Sequence, residues 1–573
     1  MKMKTYGSGW LLSALLPTLF LASAAQSQTA PDAGSLLREQ PKPPAPISAP
    51  ALIRAPESSV EGHQEAGPKV LVRGFRFEGA VLIAASELSR MLGDNIGKEL
   101  SLRQLQALTA RITAYYGERG YLARAILPPQ EIKDGVVVFH IVEGRRGNLS
   151  FQTKGDRLPE DWVKRLVENR LGSSEYLDLA QVGEVGAILK EQPGLGVEIE
   201  LLPGRNEGEV SLGFDLKDKP MVSATLGANN QASRSTGEYQ AQGSLTLNNP
   251  SGLLDAATLL ATATEGNTYV RGDYSLPVGA FGLRFGVNAS TMSYHVVQAG
   301  LKALRSRGTA DTYGLNVSYP LFRRQELQLT LTAGMDNKEL VDRTIAGETG
   351  NRGVRVTTLG FNGSLTPNQD SFLGGGETSF GASVSLGNSH QRNAAAQAAD
   401  AAARRVEGDY DKIAYSLGHL RPLGQEWSLN AILRGQFAGK NLDSSERFSL
   451  GGASGVRAYP VGEGTGDEGW LLNLNFQRLL ADKLAATLFL DAGGITVNRN
   501  LYAGWNAGNP RLTNRYELAG IGAGLDWRLA DNVLLNATLA SPLGSNPGRD
   551  TNNKNADGRK DNMRVWLSLN AQF

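Results

Sequence analysis

The sequence predicts a mainly β chain: a transmembrane β-barrel of about sixteen strands preceded by two small α/β modules. Three observations predict it. From residue 221 to the end, apolar and polar residues alternate with a period of two. Between residues 69 and 219 a β-α-α-β-β pattern occurs twice. The chain also begins as an exported protein does, and its 68 glycines in 573 residues suit a barrel of modest hydropathy.

Composition excludes several functions. Lys and Arg total 58 against 57 Asp and Glu, without the basic excess of a nucleic-acid binder. With no Cys, disulfides, thiolate catalysis and Cys-based zinc sites are ruled out. Beyond the N-terminus no run of about 18 apolar residues exists, so no helical membrane span is expected.

At the N-terminus Lys2 and Lys4 precede the apolar stretch Trp10 to Leu21, and Ala22-Ser23-Ala24 offers a cleavage site. This is the order of a signal peptide. Asp32 to Glu39 predicts a short helix. From 41 to 68 the prolines Pro41, Pro43, Pro44, Pro46, Pro50 and Pro56 prevent helix propagation and predict an extended linker.

The first module opens on a strand at Val70 to Glu78, followed by a helix at Ala84 to Leu92. Ser101-Leu102-Arg103-Gln104 fits a capping box. Leu102, Leu105, Leu108, Ile112 and Tyr115 then share one helix face, and Gly120 ends the helix. Tyr121 to Leu127 and Val136 to Val142 are the next strands. The second module repeats the pattern: a strand at Leu149 to Phe151, two helices carrying Trp162, Leu166, Leu171 and Leu179, Val182, Val185, Leu189, then strands Val197 to Leu202 and Val210 to Leu216.

In the C-terminal region Trp427, Leu429, Ala431 and Leu433 alternate with Ser428, Asn430 and Arg434, and Val565, Leu567 and Leu569 alternate with Trp566, Ser568 and Asn570. A soluble sandwich gives the same alternation. Segments near the ~9–11 residues that cross a bilayer at a tilt favour the barrel. Connections of alternating length do so too, as in Asn388 to Glu407 against Arg421 to Gln425. A barrel of this size encloses an aqueous lumen unless it is plugged.

The modules carry Arg119-Gly120-Tyr121, Pro128-Pro129-Gln130, Gly135 and Val142-Glu143-Gly144, then Pro193-Gly194-Leu195 and Leu202-Pro203-Gly204. These motifs resemble the polypeptide-transport-associated (POTRA) domains of two-partner-secretion outer-membrane transporters, the TpsB or ShlB/FhaC/HecB type. The long loop between the eleventh and twelfth predicted strands adds to the likeness. Its Val456-Arg457-Ala458-Tyr459 resembles the family's loop-six motif Val-Arg-Gly-Tyr/Phe, with Ala458 where Gly is usual. Phe489, Asp491 and Gly493 match the partner motif Phe-x-Asp-x-Gly on the thirteenth strand.

Strand phase bears on that pairing independently. If Ala486, Leu488 and Leu490 face lipid, then Phe489 and Asp491 face the lumen, where a carboxylate needs a cationic partner. Arg457 supplies one with a planar fork. A solvated loop with an unrelated lumen Asp is the alternative. The resemblance implies that loop six folds into the barrel and is latched by Arg457 to Asp491.

The resemblance also implies the organisation: a signal peptide at 1–24, a short helix and Pro-rich linker at 25–68, POTRA domains at 69–145 and 146–219, and the barrel at 220–573 with loop six at 438–467. It places the barrel in the bacterial outer membrane and the POTRA domains in the periplasm. The expected activity is type V export of a large, unfolded TpsA-type partner of hemolysin or adhesin class, without ATP. The POTRA domains would bind the partner's secretion domain. The C-terminal aromatic Phe573 is the expected signal to the barrel-assembly machinery. A family plug helix would match residues 31–40, but at ~15 Å the segment is short and Pro-rich sequence follows at once, which argues against a plug.

No enzyme activity, cofactor, metal site or nucleic-acid partner is expected. Gly464 to Gly469 matches a dinucleotide fingerprint only as text, because a strand follows it where a helix is needed. Arg271-Gly272-Asp273 lies inside a predicted strand, and the five His show no ligand spacing. Two other functions compete: an outer-membrane protein insertase of the same superfamily, which usually carries more POTRA modules, and a passive porin, which needs neither these modules nor the Arg457 motif.

Overall fold

The alternation that begins at residue 221 closes into a ring of sixteen antiparallel strands. The structure, a computed structural model, describes residues 30–41, 69–324, 326–367 and 374–573. The signal peptide and most of the Pro-rich linker lie outside the described residues.

The chain enters this structure at helix α1 (Ala33–Arg38). The first module comprises β1 (Lys69–Leu71), β2 (Gly74–Glu78), α2 (Ala85–Met91), β3 (Glu99–Ser101), α3 (Leu102–Glu118), β4 (Ala123–Ile126) and β5 (Val136–Glu143). Its main sheet has the order β2-β5-β4. The Ser101/Gln104 capping box closes at the start of α3, and Leu105, Leu108 and Ile112 are buried against the sheet. Glu143 of the Val-Glu-Gly motif accepts from the amides of Val81 and Leu82, 2.9 Å each, and from the Tyr116 hydroxyl at 2.8 Å. Burial and the adjacent carboxylate hold the Tyr116 phenol protonated, far above its ordinary range.

The second module comprises β6 (Arg145–Lys154), α4 (Glu160–Leu171), α5 (Leu179–Lys190), β7 (Leu195–Pro203) and β8 (Glu209–Asp218), with sheet order β6-β8-β7. It is bolted to the barrel's short turns. The Trp162 indole donates to the Gly279 carbonyl at 2.7 Å, Asn169 to that of Ala280 at 3.0 Å, and Arg323 pairs with Glu191 at 2.6 Å. Leu254 and Ala280, from two of those turns, complete the module's apolar core.

The barrel begins with β9 (Val222–Asn229), β10 (Gln240–Asn248), β11 (Ala256–Ala263), β12 (Asn267–Pro277) and β13 (Arg284–His295). It continues through β14 (Arg307–Arg323), β15 (Leu327–Thr344), β16 (Gly347–Leu365), β17 (Glu377–Gln391), α6 (Ala394–Ala402) in a loop, β18 (Gly408–Pro422) and β19 (Trp427–Ala438). Loop six holds the short pair β20 (Phe448–Ser449) and β21 (Thr465–Gly466). The wall is completed by β22 (Glu468–Ala481), β23 (Leu484–Thr496), β24 (Arg515–Ala530), β25 (Val533–Leu543) and β26 (Arg564–Gln572). Most strands start within a few residues of where the alternation places them. β16 starts at Gly347 although the apolar pattern begins only near Val354. A tight turn after Thr344 lets the polar stretch pair in register with β15 well past the span a bilayer requires.

Outward positions such as Leu226, Leu359, Leu488 and Leu567 are apolar and exposed, forming the lipid-facing band. Many inward positions hold polar groups, and apolar ones such as Met292, Leu340, Leu471 and Phe489 lie where α1 and loop six dock. β26 meets β9 over five register pairs, from Ser568↔Asn229 to Gln572↔Thr225. Phe573 extends this seam by exchanging two backbone hydrogen bonds with Ala224, at 2.8 and 3.0 Å.

Residues 31–40 correct the expectation drawn from their length. α1 lies inside the barrel, with Ala33 and Leu36 buried among Tyr269, Met292, Tyr294, Leu340 and Val354. A six-residue helix suffices because loop six shares the lumen with it.

Candidate functional site: an arginine latch within the lumen

Loop six enters the lumen as a folded hairpin. β20 and β21 pair at its base, and the Leu450 and Gly451 amides continue the ladder to Gly464 and Glu463. At the tip the Tyr459 amide donates to the Val456 carbonyl at 3.0 Å, closing a tight turn around Arg457 and Ala458. Ala458 is not among the residues of positive φ, so this turn accepts a Cβ where the motif usually has glycine. Val456, Ala458 and Tyr459 are buried against Leu471, Phe489, Leu518 and Ala540 of the wall.

This turn points Arg457 at Asp491, which is fully buried. Arg457 donates to the Asp491 carboxylate from its backbone amide at 3.0 Å, from Nε at 2.9 Å and from Nη2 at 2.6 Å. Nη2 also reaches Asn475 Oδ1 at 2.8 Å, and the guanidinium carbon lies 3.5 Å from the Phe489 ring centroid. The pair thus combines a bidentate ion pair with a cation–π contact in a confined space, where both are stronger than in water. Asn473 donates a further bond to Asp491 at 2.7 Å and another to the Gly455 carbonyl at 2.9 Å. From β26, the Trp566 indole donates to the Arg457 carbonyl at 2.8 Å.

Glycines make room for this docking. A Cβ on Gly493 would lie 2.6 Å from Leu450 and 2.8 Å from the Trp470 carbonyl, and one on Gly520 only 2.5 Å from Ala458. Val456, Arg457, Ala458, Tyr459, Phe489, Asp491 and Gly493 therefore meet at one place. Phe573 does not join them and belongs to the seam.

Several site residues escaped sequence reasoning. Arg434 on β19 holds the same loop, donating to the Ser454 carbonyl and, at 3.3 Å, to Asn473. Arg352 on β16 gathers Asp342 of β15 at 2.7 Å, Asp443 of loop six at 2.5 Å and Asp32 of the α1 cap at 3.2 Å. The Ala33 amide donates to Asp342 at 2.8 Å. Glu446 pairs with Lys338 and with Lys412, the latter at 2.7 Å. Buried Asp467 accepts from Arg404 at 3.3 Å and Arg447 at 3.2 Å, and from the Leu442 and Arg499 amides. For Arg352, Lys338, Lys412, Asp342 and Arg434 the signal available is lumen phase alone, which does not name a partner, and for the cap and loop residues there is none.

Comparison with known proteins agrees with this architecture. The family described as haemolysin secretion/activation protein ShlB/FhaC/HecB matches residues 208–527, and the ShlB-type POTRA domain matches residues 70–144. The chain is similar to the heme/hemopexin transporter protein HuxB of Haemophilus influenzae, with 28% identity over 499 residues, 86% of this chain and 85% of HuxB. It is also similar to the outer membrane transporter CdiB of Dickeya dadantii, with 25% identity over 457 residues covering 77% and 78% of the two chains. The solved structure of CdiB from Escherichia coli shares the fold, with a TM-score of 0.66 at 23% identity over 92% of this chain and 94% of that one. With more than half of its length matched by the family, the chain belongs to the ShlB/FhaC/HecB haemolysin secretion/activation family.

Proposed function

We propose that this outer-membrane transporter exports an unfolded partner protein of hemolysin or adhesin class through its barrel, and that loop six, latched by Arg457 to Asp491, closes the path between export events. The observation that carries this reading is the engagement of one buried carboxylate by three donors from Arg457. A porin needs no such device. The family's description as haemolysin secretion/activation proteins supports a secreted protein as cargo.

In the periplasm the POTRA sheets offer edge strands, β2 and β4 in the first module and β6 and β7 in the second. An extended segment of the partner adds to such an edge by main-chain hydrogen bonds, which tolerate varied sequence. Folding of the exported chain outside makes each advance hard to reverse and supplies direction without ATP. During biogenesis Phe573, at the end of the closing strand, presents the chain to the barrel-assembly machinery.

The test uses cells producing the transporter and its secreted partner. Arg457→Ala and Arg457→Lys both reduce partner in the medium while barrel levels, read by heat-modifiable migration, stay unchanged; Lys fails because it lacks the planar fork. Normal export by both variants would refute the latch. Undiminished export together with failed assembly of other barrel proteins would instead favour an insertase.

A further inference from the structure

The lumen has two unlike walls. Along β15 to β18 several inward groups are charged, among uncharged ones such as Thr358 and Ser385, and are tied to α1 and loop six: Arg352 to Asp32 and Asp443, and Lys338 and Lys412 to Glu446. On the other side of the ring, β26, β9, β10 and the start of β12 face a cavity of about 730 Å³ that loop six and the end of α1 leave unfilled. The strand side chains on that cavity include Asn229, Gln240, Gln242, Asn267, Ser568 and Asn570, all uncharged. The charges that border it come from Arg38, Glu39 and Arg447 on α1 and loop six, and from Arg434, which grips loop six.

The amides of this wall are only loosely committed. Gln242 donates to Asn570 across the seam at 3.0 Å; Asn229 Oδ1 accepts from the Gln231 amide at 2.9 Å, but its Nδ2 reaches Gln240 only at a long 3.4 Å. Asn267 is buried, and its Oδ1 has no hydrogen-bond partner among the described residues. Each carboxamide both donates and accepts. That is the requirement set by a moving main chain, which presents one N–H and one C=O per residue and must find partners for both. Neutral amides bind any sequence weakly. A charged wall would arrest segments of opposite sign and repel those of like sign.

We infer that the amide wall of β26, β9 and β10 is the track along which the main chain of the exported polypeptide slides, while the charged wall seats α1 and loop six. This rests on the export reading above and adds to it the surface that the passing chain touches. Gln242 and Asn570 are its centre, because their shared bond opens to admit a peptide group.

The test is single-channel recording of the full-length protein in planar bilayers, with a long unfolded peptide of glycine, serine and threonine added on the POTRA side. In the wild type the peptide interrupts the open-channel current. Gln242→Leu with Asn570→Leu shortens the interruptions about fivefold or more. The same change at the far wall, Thr358→Leu with Ser385→Leu, leaves them unaltered; those two residues share a 2.9 Å hydrogen bond between β16 and β17. If the double Leu variant does not insert, Gln242→Glu serves in its place, lengthening the stay of a Lys-bearing peptide and shortening that of a Glu-bearing one. Interruptions that change equally at both walls, or at neither, overturn the track alone. A wild-type current that ignores every peptide overturns the export reading with it.

Discussion

Asp491 takes four hydrogen-bond donors, three from Arg457 and one from Asn473. Removing the guanidinium leaves a buried carboxylate without its counter-ion, a loss of about 3–5 kcal/mol to the closed arrangement. Arg457→Ala should therefore raise the open fraction in single-channel recordings, and Arg457→Lys should raise it less because the charge remains. Gly493→Val tests the same docking from the wall. Its Cβ collides with Leu450 and with a backbone carbonyl that cannot move aside, so loop six seats badly and basal conductance rises. A Gly493→Val channel as quiet as the wild type would contradict this. In the first POTRA module, Glu143→Ala strands two amides and the Tyr116 hydroxyl. Each such loss costs roughly 1–3 kcal/mol, and faster proteolysis of the periplasmic region is the expected result. Arg457 and Asp491 were legible in the sequence because a motif and strand phase agree on them. Arg434 was not, since the loop atom it holds is a backbone carbonyl twenty residues away, which carries no side-chain signature.

Loop six and α1 are held through shared residues. Arg352 binds Asp32 of the helix cap and Asp443 of the loop at once, so releasing either piece loosens the other. Arg352→Ala should open the channel more than deletion of 31–40 does, because it frees both. Conductance below that of the deletion would argue that the two pieces move independently. The strands were readable because lipid on one face and water on the other impose a strict period. The early start of β16 was not, since Gly347 to Gly353 projects beyond the bilayer, where that period lapses. The docking of α1 was hidden for a different reason. Six helical residues are too few to fill a lumen by themselves, but loop six already occupies part of the interior.

Closure of the sixteen-stranded ring depends on its shortest contact, the five register pairs between β26 and β9. Phe573 lengthens that seam through its two bonds to Ala224. Deleting Phe573 should lower the yield of heat-modifiable barrel before it affects the conductance of those that form, and an undiminished yield would show the residue dispensable. At the other extreme, the β15–β16 ribbon pairs over eighteen residues, the longest pairing in the wall. The second POTRA module is fastened to the turns that open β13 and close β14. The distal ends of this group of strands bear Tyr294, on β13, and Asp342, on β15, which hold each other at 2.7 Å and grip the start of α1. A load taken up by the periplasmic foot thus enters the cylinder through the staves that clasp the stopper at their upper ends.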